Sequence, residues 1–168
     1  NDVKNLIKKK LKKLKNKKLF FNKNYILQKI NKKKFILNID NKNIIFSKPS
    51  LEGLHQIENA CTAICTIIEL KKLNYKIKIR SINKGLCTTI WPGRLERGVI
   101  KKIPVYLDGA HNVAGAKILY NFFEPQLKKR WLIFGMLNNK EIKKYLTIFK
   151  NFIDGVIAIE IPNEKNTF

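Results

Sequence analysis

The strongest candidate for chemistry is the segment 107–112, which reads Leu-Asp-Gly-Ala-His-Asn. Asp108 ends a short apolar run typical of a strand, and Gly109 allows a tight turn into a following helix. Open α/β sheets bind ligands at this edge, and His111 and Asn112 would stand at a helix N-terminus, where unpaired N–H groups favour phosphate. The alternative is that Asn112 only caps the helix and Asp108 only ties the turn. The spacing favours neither interpretation.

A second candidate is the segment 91–97, which reads Trp-Pro-Gly-Arg-Leu-Glu-Arg. The Pro-Gly turn presents Arg94, whose guanidinium can hold phosphate through two parallel hydrogen bonds. The alternative is a hinge between domains in which Trp91 packs and Arg94 pairs with Glu96. Taken alone, the motif favours the hinge.

The third candidate is the segment 51–60, where His55 and Asn59 are four residues apart and therefore share a helix face. A side-chain amide both donates and accepts hydrogen bonds, so Asn59 suits an adenine edge, although an asparagine at a helix start is more often structural. Cys61 and Cys65 are also four apart, but this spacing matches no usual zinc pattern and favours packing in the core. The chain lacks the common glycine-rich phosphate loops and metal motifs.

Composition gives the next constraints. The 168 residues include 35 Lys and Arg against 12 Asp and Glu, a net charge of +23, while 45% of residues are hydrophobic, which disfavours a disordered polycation. Such charge suggests nucleic acid or an anionic membrane, but Lys, Asn and Ile all have A/T-rich codons, and compositional drift explains their joint excess better. Three cysteines, no apolar signal region and no membrane span lead us to expect a cytoplasmic chain.

The spacing of apolar residues predicts the helices and strands that position these motifs. Residues 2–19 predict a basic helix with one apolar stripe. Such a helix can lie on a membrane or bind RNA, but a packed helix with a solvated basic face is favoured. The next segments predict, in order, strands at 25–27, 34–39 and 43–46 with a hairpin turn at 40–43, a helix at 55–72, a strand at 77–79, and a turn or helix at 82–86.

The pattern changes after Gly98. It predicts a strand at 104–107, a helix at 113–123, a strand at 130–134, a helix at 141–152 and a strand at 155–159. This alternation indicates an α/β fold with a parallel sheet. Because open sheets usually have more than three strands, we expect the chain to be cut at both ends.

Together, the three motifs resemble the folylpolyglutamate synthase family, including its bifunctional bacterial form that is also dihydrofolate synthase, within the Mur ligase superfamily. The matching stretches are residues 49–60, 91–96 and 107–112, with a weaker match at 134–140. Their order and spacing agree from Pro49 to about Ile161. The resemblance implies an α/β chain in which residues 1–98 end a Mur-ligase-type central ATPase domain. Residues 99–168 would then begin a partial Rossmann-like parallel-sheet domain.

The family's reaction uses ATP to activate a folate or dihydropteroate carboxylate as an acyl phosphate, which the amine of L-glutamate attacks. The resemblance implies that Asn59 contacts adenine, that Arg94 contacts phosphate, and that Asp108 and His111 lie at the nucleotide. It assigns no catalytic residue and no metal ligand here, because the phosphate loop and the Mg²⁺ ligands are expected upstream. The isolated chain is therefore expected to be inactive, and the full-length form a monomer without specific nucleic-acid or membrane partners.

Two other functions remain as alternatives. In the first alternative, the chain is a basic nucleic-acid-binding module whose helix at 3–19 contacts RNA or DNA. In the second, it is an inactive gene remnant. The first alternative predicts an affinity that falls steeply with salt.

Overall fold

A computed structural model describes residues 2–12, 18–125 and 129–167 of the chain. Helices and strands mix along these ranges, which confirms the α/β class. The elements are α1 (Asp2–Lys12), β1 (Tyr25–Ile30), β2 (Lys34–Ile39), β3 (Lys42–Ser47), α2 (Leu54–Lys72), α3 (Ile79–Thr88), β4 (Glu96–Ile100), β5 (Ile103–Leu107), α4 (Val113–Phe123), β6 (Trp131–Phe134), α5 (Ile142–Thr147) and β7 (Gly155–Ala158).

The chain forms two compact units. Unit 1 consists of Asn1–Ser50 and Gln56–Ile90, and unit 2 consists of Leu51–His55 and Trp91–Phe168. Among the described residues, no helix is both long and apolar enough to cross a bilayer.

Unit 1 is built on an antiparallel sheet in the order β1-β2-β3. The predicted hairpin turn is confirmed: Asp40 and Asn41 have φ angles of 50° and 60°, which Asn and Asp tolerate. Alternate residues of β2 are buried, as period-2 patterning requires. They form one core with residues of α2 at helical spacing, and this core contains Phe35, Leu37, Ile39, Phe46, Ile57, Ala60, Cys61, Ile64 and Cys65.

The strand predicted at 77–79 is wrong, because α3 begins at Ile79. Ile79, Ile82 and Leu86 recur at helical spacing, and all three pack in or against the unit 1 core. Burial of this face therefore decides between helix and strand where the short apolar run does not. The turn or helix predicted at 82–86 is the second half of α3.

The packed-helix interpretation of α1 is wrong for two of its apolar side chains, while Leu11 is half-buried. Leu6 and Ile7 are 57% and 47% exposed, and neither belongs to the unit 1 core. Residues 13–17 of the predicted helix lie outside the described ranges, and Leu19 is not helical.

Unit 2 begins with an antiparallel hairpin in which β4 pairs with β5, from Glu96 opposite Leu107 to Ile100 opposite Ile103. Its two-residue turn places Lys101 and Lys102 at φ angles of 48° and 68°. The sequence does not predict this hairpin, because a turn of two lysines carries none of the usual Gly, Asn or Asp signals.

Parallel pairing is confirmed for β6 and β7, which run together from Trp131 opposite Gly155 to Phe134 opposite Ala158. The prediction that the strand at 104–107 joins this sheet is wrong among the described residues, because β5 pairs with β4 instead. The helix predicted at 141–152 ends at Thr147, and turns follow. The unit 2 core combines residues of α4, α5 and their neighbours: Leu95, Ala116, Leu119, Met136, Tyr145 and Phe149.

Candidate functional site

The β4–β5 hairpin brings two of the sequence motifs together. Because Glu96 pairs with Leu107, the residues before β4 necessarily lie beside those after β5. The Gly109 amide donates to the Gly93 carbonyl at 2.9 Å, which joins the two loops directly. Strand pairing, which the sequence did not reveal, is thus what unites the arginine motif with the aspartate motif.

Asp108 fastens the same junction. One carboxylate oxygen accepts a hydrogen bond from the Leu95 amide at 2.8 Å, and the other accepts one from the Ala110 amide at 2.8 Å. The interpretation that Asp108 ties the turn is therefore confirmed. A carboxylate has about four acceptor positions, so a ligand hydroxyl can still bind beside these amides.

Arg94 lies on a constrained turn. Gly93 and Leu95 on either side have φ angles of 67° and 49°, in the left-handed region. Leu95 is only 2% exposed, so it anchors the turn in the core while the neighbouring Arg94 side chain is exposed. Nη1 of Arg94 donates to the Gly93 carbonyl at 3.1 Å, and a Cβ at position 109 would come within 2.7 Å of Nη1. Glycine at position 109 therefore makes room for the guanidinium.

The hinge interpretation of this motif is wrong in both of its contacts. Trp91 is 62% exposed rather than packed, and Glu96 forms no ion pair with Arg94 among the described residues. Oε2 of Glu96 instead accepts a hydrogen bond from the Gly93 amide at 2.9 Å. The guanidinium therefore faces solvent without a carboxylate partner in the described chain.

His111 and Asn112 lie where α4 begins. Asn112 has extended backbone angles, and its Oδ1 accepts from the Gly115 amide at 2.8 Å, so the helix-capping interpretation is confirmed. Nδ1 of His111 lies 2.9 Å from the Gly109 carbonyl. A carbonyl only accepts, so Nδ1 carries the proton in this bond, and Nε2 is the ring nitrogen that can contact a ligand.

The negative charge of the same carboxylate acts on a buried phenol. Burial, and then the negative charge of Asp108, raise the pKa of Tyr145 above its usual value. Tyr145 is 3% exposed in the unit 2 core, so its hydroxyl stays neutral at ordinary pH. The sequence does not point to Tyr145, which stands in no motif, and it offers Glu96 only as an ion-pair partner of Arg94, whereas the Glu96 carboxylate binds the Gly93 amide.

The structure gathers three of the four predicted site residues. Arg94, Asp108 and His111 surround Gly109 within unit 2. Asn59 belongs to unit 1, where it is an exposed residue of α2 and its Nδ2 donates to Gln56 Oε1 at 3.1 Å.

The cysteine pair is structural, as expected. Cys61 and Cys65 are buried in the unit 1 core. Burial, and then the charge of Glu58, raise the pKa of the Cys61 thiol to about 11, so it does not ionise as a ligand or nucleophile near neutral pH. Within the described ranges, no group of three or more His, Cys, Asp or Glu residues could hold a metal ion.

Comparison with known proteins points to one family. The chain is 44% identical over 73 residues to the dihydrofolate synthase/folylpolyglutamate synthase of Bacillus subtilis. The aligned region covers 43% of this chain and 17% of that protein. It is 30% identical over 138 residues to a probable dihydrofolate synthetase of Schizosaccharomyces pombe, covering 76% of this chain and 32% of the relative. The chain thus spans less than a third of the length of these relatives. No model of a known protein family matches it.

Solved structures agree on the fold. A folylpolyglutamate synthase of Mycobacterium tuberculosis, solved with ADP and AMPPCP, matches with a TM-score of 0.79 at 20% identity, covering 99% of this chain and 38% of that one. A folylpolyglutamate synthase–AMPPCP–folate complex matches with a TM-score of 0.83 at 20% identity, covering 98% and 41%. With these matches, and with the three motifs in place, the chain belongs to the dihydrofolate synthase/folylpolyglutamate synthase family.

Proposed function

We propose that this chain supplies some of the nucleotide-contacting residues of an ATP-dependent ligase that joins L-glutamate to folate or dihydropteroate. The observation that carries the proposal is the grouping of Arg94, Asp108 and His111 around Gly109. Support comes from the names of the curated relatives and from related structures that contain ADP, AMPPCP and folate.

Arg94 fits the phosphates of ATP. It is exposed, forms no ion pair among the described residues, and projects from a turn that the core and three hydrogen bonds hold. A guanidinium held in advance stabilises the negative charge that develops on a transferring phosphoryl group without reorganising at that moment. When bound, ATP supplies the phosphoryl group that activates the substrate carboxylate.

The other site residues would orient the nucleotide. Nε2 of His111 and the remaining acceptor positions of Asp108 suit polar groups of the ribose and phosphates. Asn59 would contact the adenine edge through its amide. Mg²⁺ belongs to the proposed reaction, but its ligands are proposed to lie outside the described residues.

We propose residues 1–98 for the central ATP-binding domain and residues 99–168 for the Rossmann-like domain of the family; the division between the two compact units falls earlier in the chain, between Ile90 and Trp91. We also propose that the reaction takes place in the cytoplasm, which suits the three free cysteines. The isolated chain is proposed neither to hydrolyse ATP nor to form a folate–glutamate bond. Measured ligase turnover by the purified 168-residue chain would contradict this.

A chimaera tests the function directly. Residues 49–161 of this chain replace the corresponding segment of the Bacillus subtilis relative, and ligation of L-glutamate to folate and to dihydropteroate is measured with ATP. We expect activity in the chimaera, and a fall in kcat of at least about a hundredfold on Arg94→Ala, because a charge at the transferring phosphate is lost.

Arg97→Ala is the matched control, since Arg97 is also exposed and lies three residues further along the chain. A folded chimaera without activity would contradict the proposed function. Equal effects of Arg94→Ala and Arg97→Ala would contradict the role of Arg94.

The alternative of a nucleic-acid-binding module is tested on the chain itself. Filter binding to duplex DNA and to structured RNA at two salt concentrations separates the two functions. We expect only weak binding without sequence preference, and a sequence-specific complex would favour the alternative.

A further inference from the structure

Glu96 makes a contact at the candidate site that no motif assigns. It is the first residue of β4, two positions after Arg94, and its Oε2 accepts a hydrogen bond from the Gly93 amide at 2.9 Å. The bond spans the arginine and closes the turn that carries it. The side chain thus acts on the backbone that presents the guanidinium, rather than on the guanidinium itself.

This turn needs to be held. Leu95 has a φ of 49°, and a non-glycine residue in the left-handed region costs about 1–3 kcal/mol, so the conformation persists only where its surroundings fix it. Gly93, at φ 67°, is the most flexible kind of residue and lies directly before Arg94. Without external bonds, both residues would relax and the arginine would lose its direction.

Three hydrogen bonds supply this restraint at separate atoms. The Gly93 amide is held by Glu96, the Gly93 carbonyl by the amide of Gly109, and the Leu95 amide by Asp108. Of the two carboxylates, Asp108 lies at the centre of the site, whereas Glu96 acts only on the turn. Removing the Glu96 carboxylate therefore releases one end of the turn and leaves the other bonds in place.

The carboxylate of Glu96 also leaves the Arg94 guanidinium free to bind a phosphate. A carboxylate two residues away would ordinarily compete with a phosphate for the guanidinium. Here the Gly93 amide uses Oε2 of Glu96, and the described structure contains no ion pair between Glu96 and Arg94. The acid thus orders the turn without neutralising the arginine.

Building on the proposed function, we propose that Glu96 is a positioning residue that fixes the Gly93–Arg94 backbone and so directs the Arg94 guanidinium toward nucleotide phosphate. The effect requires an oxygen acceptor at position 96 and does not require its negative charge. This separates the proposal from a general electrostatic effect.

The test uses the full 168-residue chain in four versions: wild type, Glu96→Ala, Glu96→Gln and the control Glu160→Ala. Glu160 is an exposed acid of the same unit, so its replacement makes the same charge change. Nuclear magnetic resonance follows hydrogen exchange at the Gly93 amide and the Arg94 guanidinium signal, and an ADP titration gives the affinity. Melting curves check that unit 2 stays folded.

A positioning role of Glu96 and a long-range effect of its charge predict opposite changes in ADP affinity. Loss of a negative charge strengthens ADP binding in all three variants if long-range electrostatics dominate. Positioning instead predicts that Glu96→Ala speeds Gly93 exchange and weakens ADP binding about tenfold, as for one misplaced charged contact, while Glu96→Gln restores both. Gly109→Ala is a second variant: its Cβ would displace Arg94 Nη1, so ADP binding falls while the Gly93 amide stays protected.

Unchanged Gly93 exchange and an unchanged Arg94 signal in Glu96→Ala would overturn the proposal, as would failure of Glu96→Gln to restore them. A loss of affinity that only accompanies unfolding of unit 2 would also overturn it. If the wild-type chain alone does not respond to ADP, the ADP titration is repeated with the chimaera, which contains the upstream segment of the Bacillus subtilis relative. A folded chimaera that does not bind ADP would contradict the proposed function, whereas the exchange and guanidinium signals still decide whether Glu96 positions Arg94.

Discussion

Replacement of Asp108 by alanine is expected to destabilise unit 2 strongly. The change removes two charged acceptors and leaves the amides of Leu95 and Ala110, each at 2.8 Å, without their partner. A hydrogen bond to a charged group contributes about 1.5–3 kcal/mol, so the pair gives about 3–6 kcal/mol before water is considered. Because Asp108 is only half-buried, water replaces part of this, and we expect a loss of about 2–4 kcal/mol.

Urea unfolding measures this loss. Both tryptophans of the chain, Trp91 and Trp131, lie in unit 2, so their emission reports that unit, while far-ultraviolet circular dichroism reports the whole chain. In a unit of this size, the same loss lowers the melting temperature by about 8–30 °C. Asp108→Asn keeps one oxygen acceptor and is expected to lose about half as much free energy.

Asp154→Ala is the matched control. Asp154 is an exposed aspartate of unit 2 whose Oδ2 accepts from one amide, that of Arg130. If the carboxylate of Asp108 holds the two loops together, Asp108→Ala must cost clearly more than Asp154→Ala. Equal losses would refute the reasoning, because the number and burial of the amide bonds would then not determine stability.

Three further predictions follow from local geometry. Gly53→Ala is expected to destabilise unit 2 by more than about 1 kcal/mol in urea unfolding, because the φ of Gly53 is +98° and the new Cβ would lie 2.7 Å from the His55 ring. Gly85→Ala is the control: a Cβ at this helical position would have no atom within 4 Å, so the change should leave stability unchanged or raise it. An aromatic disulfide reagent should label one thiol of the folded chain, the exposed Cys87, and all three thiols in urea. Rapid labelling of a second thiol in the folded chain would contradict the burial of Cys61 and Cys65. The pKa of Cys61 is about 11 in the folded chain against an ordinary 9.0, so the thiol of the unfolded chain loses its proton first as pH rises, and the free energy of unfolding should fall between pH 9 and 11. Cys61→Ala should lack this contribution when urea unfolding is compared at pH 9 and pH 11.

Local patterns predicted most of the elements. The helix at 55–72 and the hairpin at 40–43 follow directly from helical spacing and from Asp and Asn in a turn. The errors arise where tertiary pairing decides. A short run such as 77–79 suits strand or helix, and only burial of Ile82 against the core selects the helix. Likewise, an apolar strand at 104–107 does not reveal with which strand it will pair.

The candidate site shows the same division. The motifs identified Arg94, Asp108 and His111, but not the reason that they meet, because that reason is the pairing of β4 with β5. The sequence assigned Glu96 an ion pair with Arg94 rather than its hydrogen bond with the Gly93 amide, and it did not point to Tyr145, whose pKa shift depends on burial. A sequence states which side chains are present, whereas a contact between residues 13 apart depends on strand register.

The strained turn at Arg94 connects stability with function. Leu95 accepts an unfavourable φ of 49° and is still almost fully buried, so the core stabilises a conformation that the local sequence does not favour. Relieving that strain with Leu95→Gly would remove the buried side chain and let the backbone relax in one step. Leucine rather than glycine at position 95 both fills the core and fixes the backbone from which the Arg94 side chain projects. The conformation of Leu95 therefore agrees with the proposal that the geometry of the nucleotide site is fixed before the nucleotide arrives.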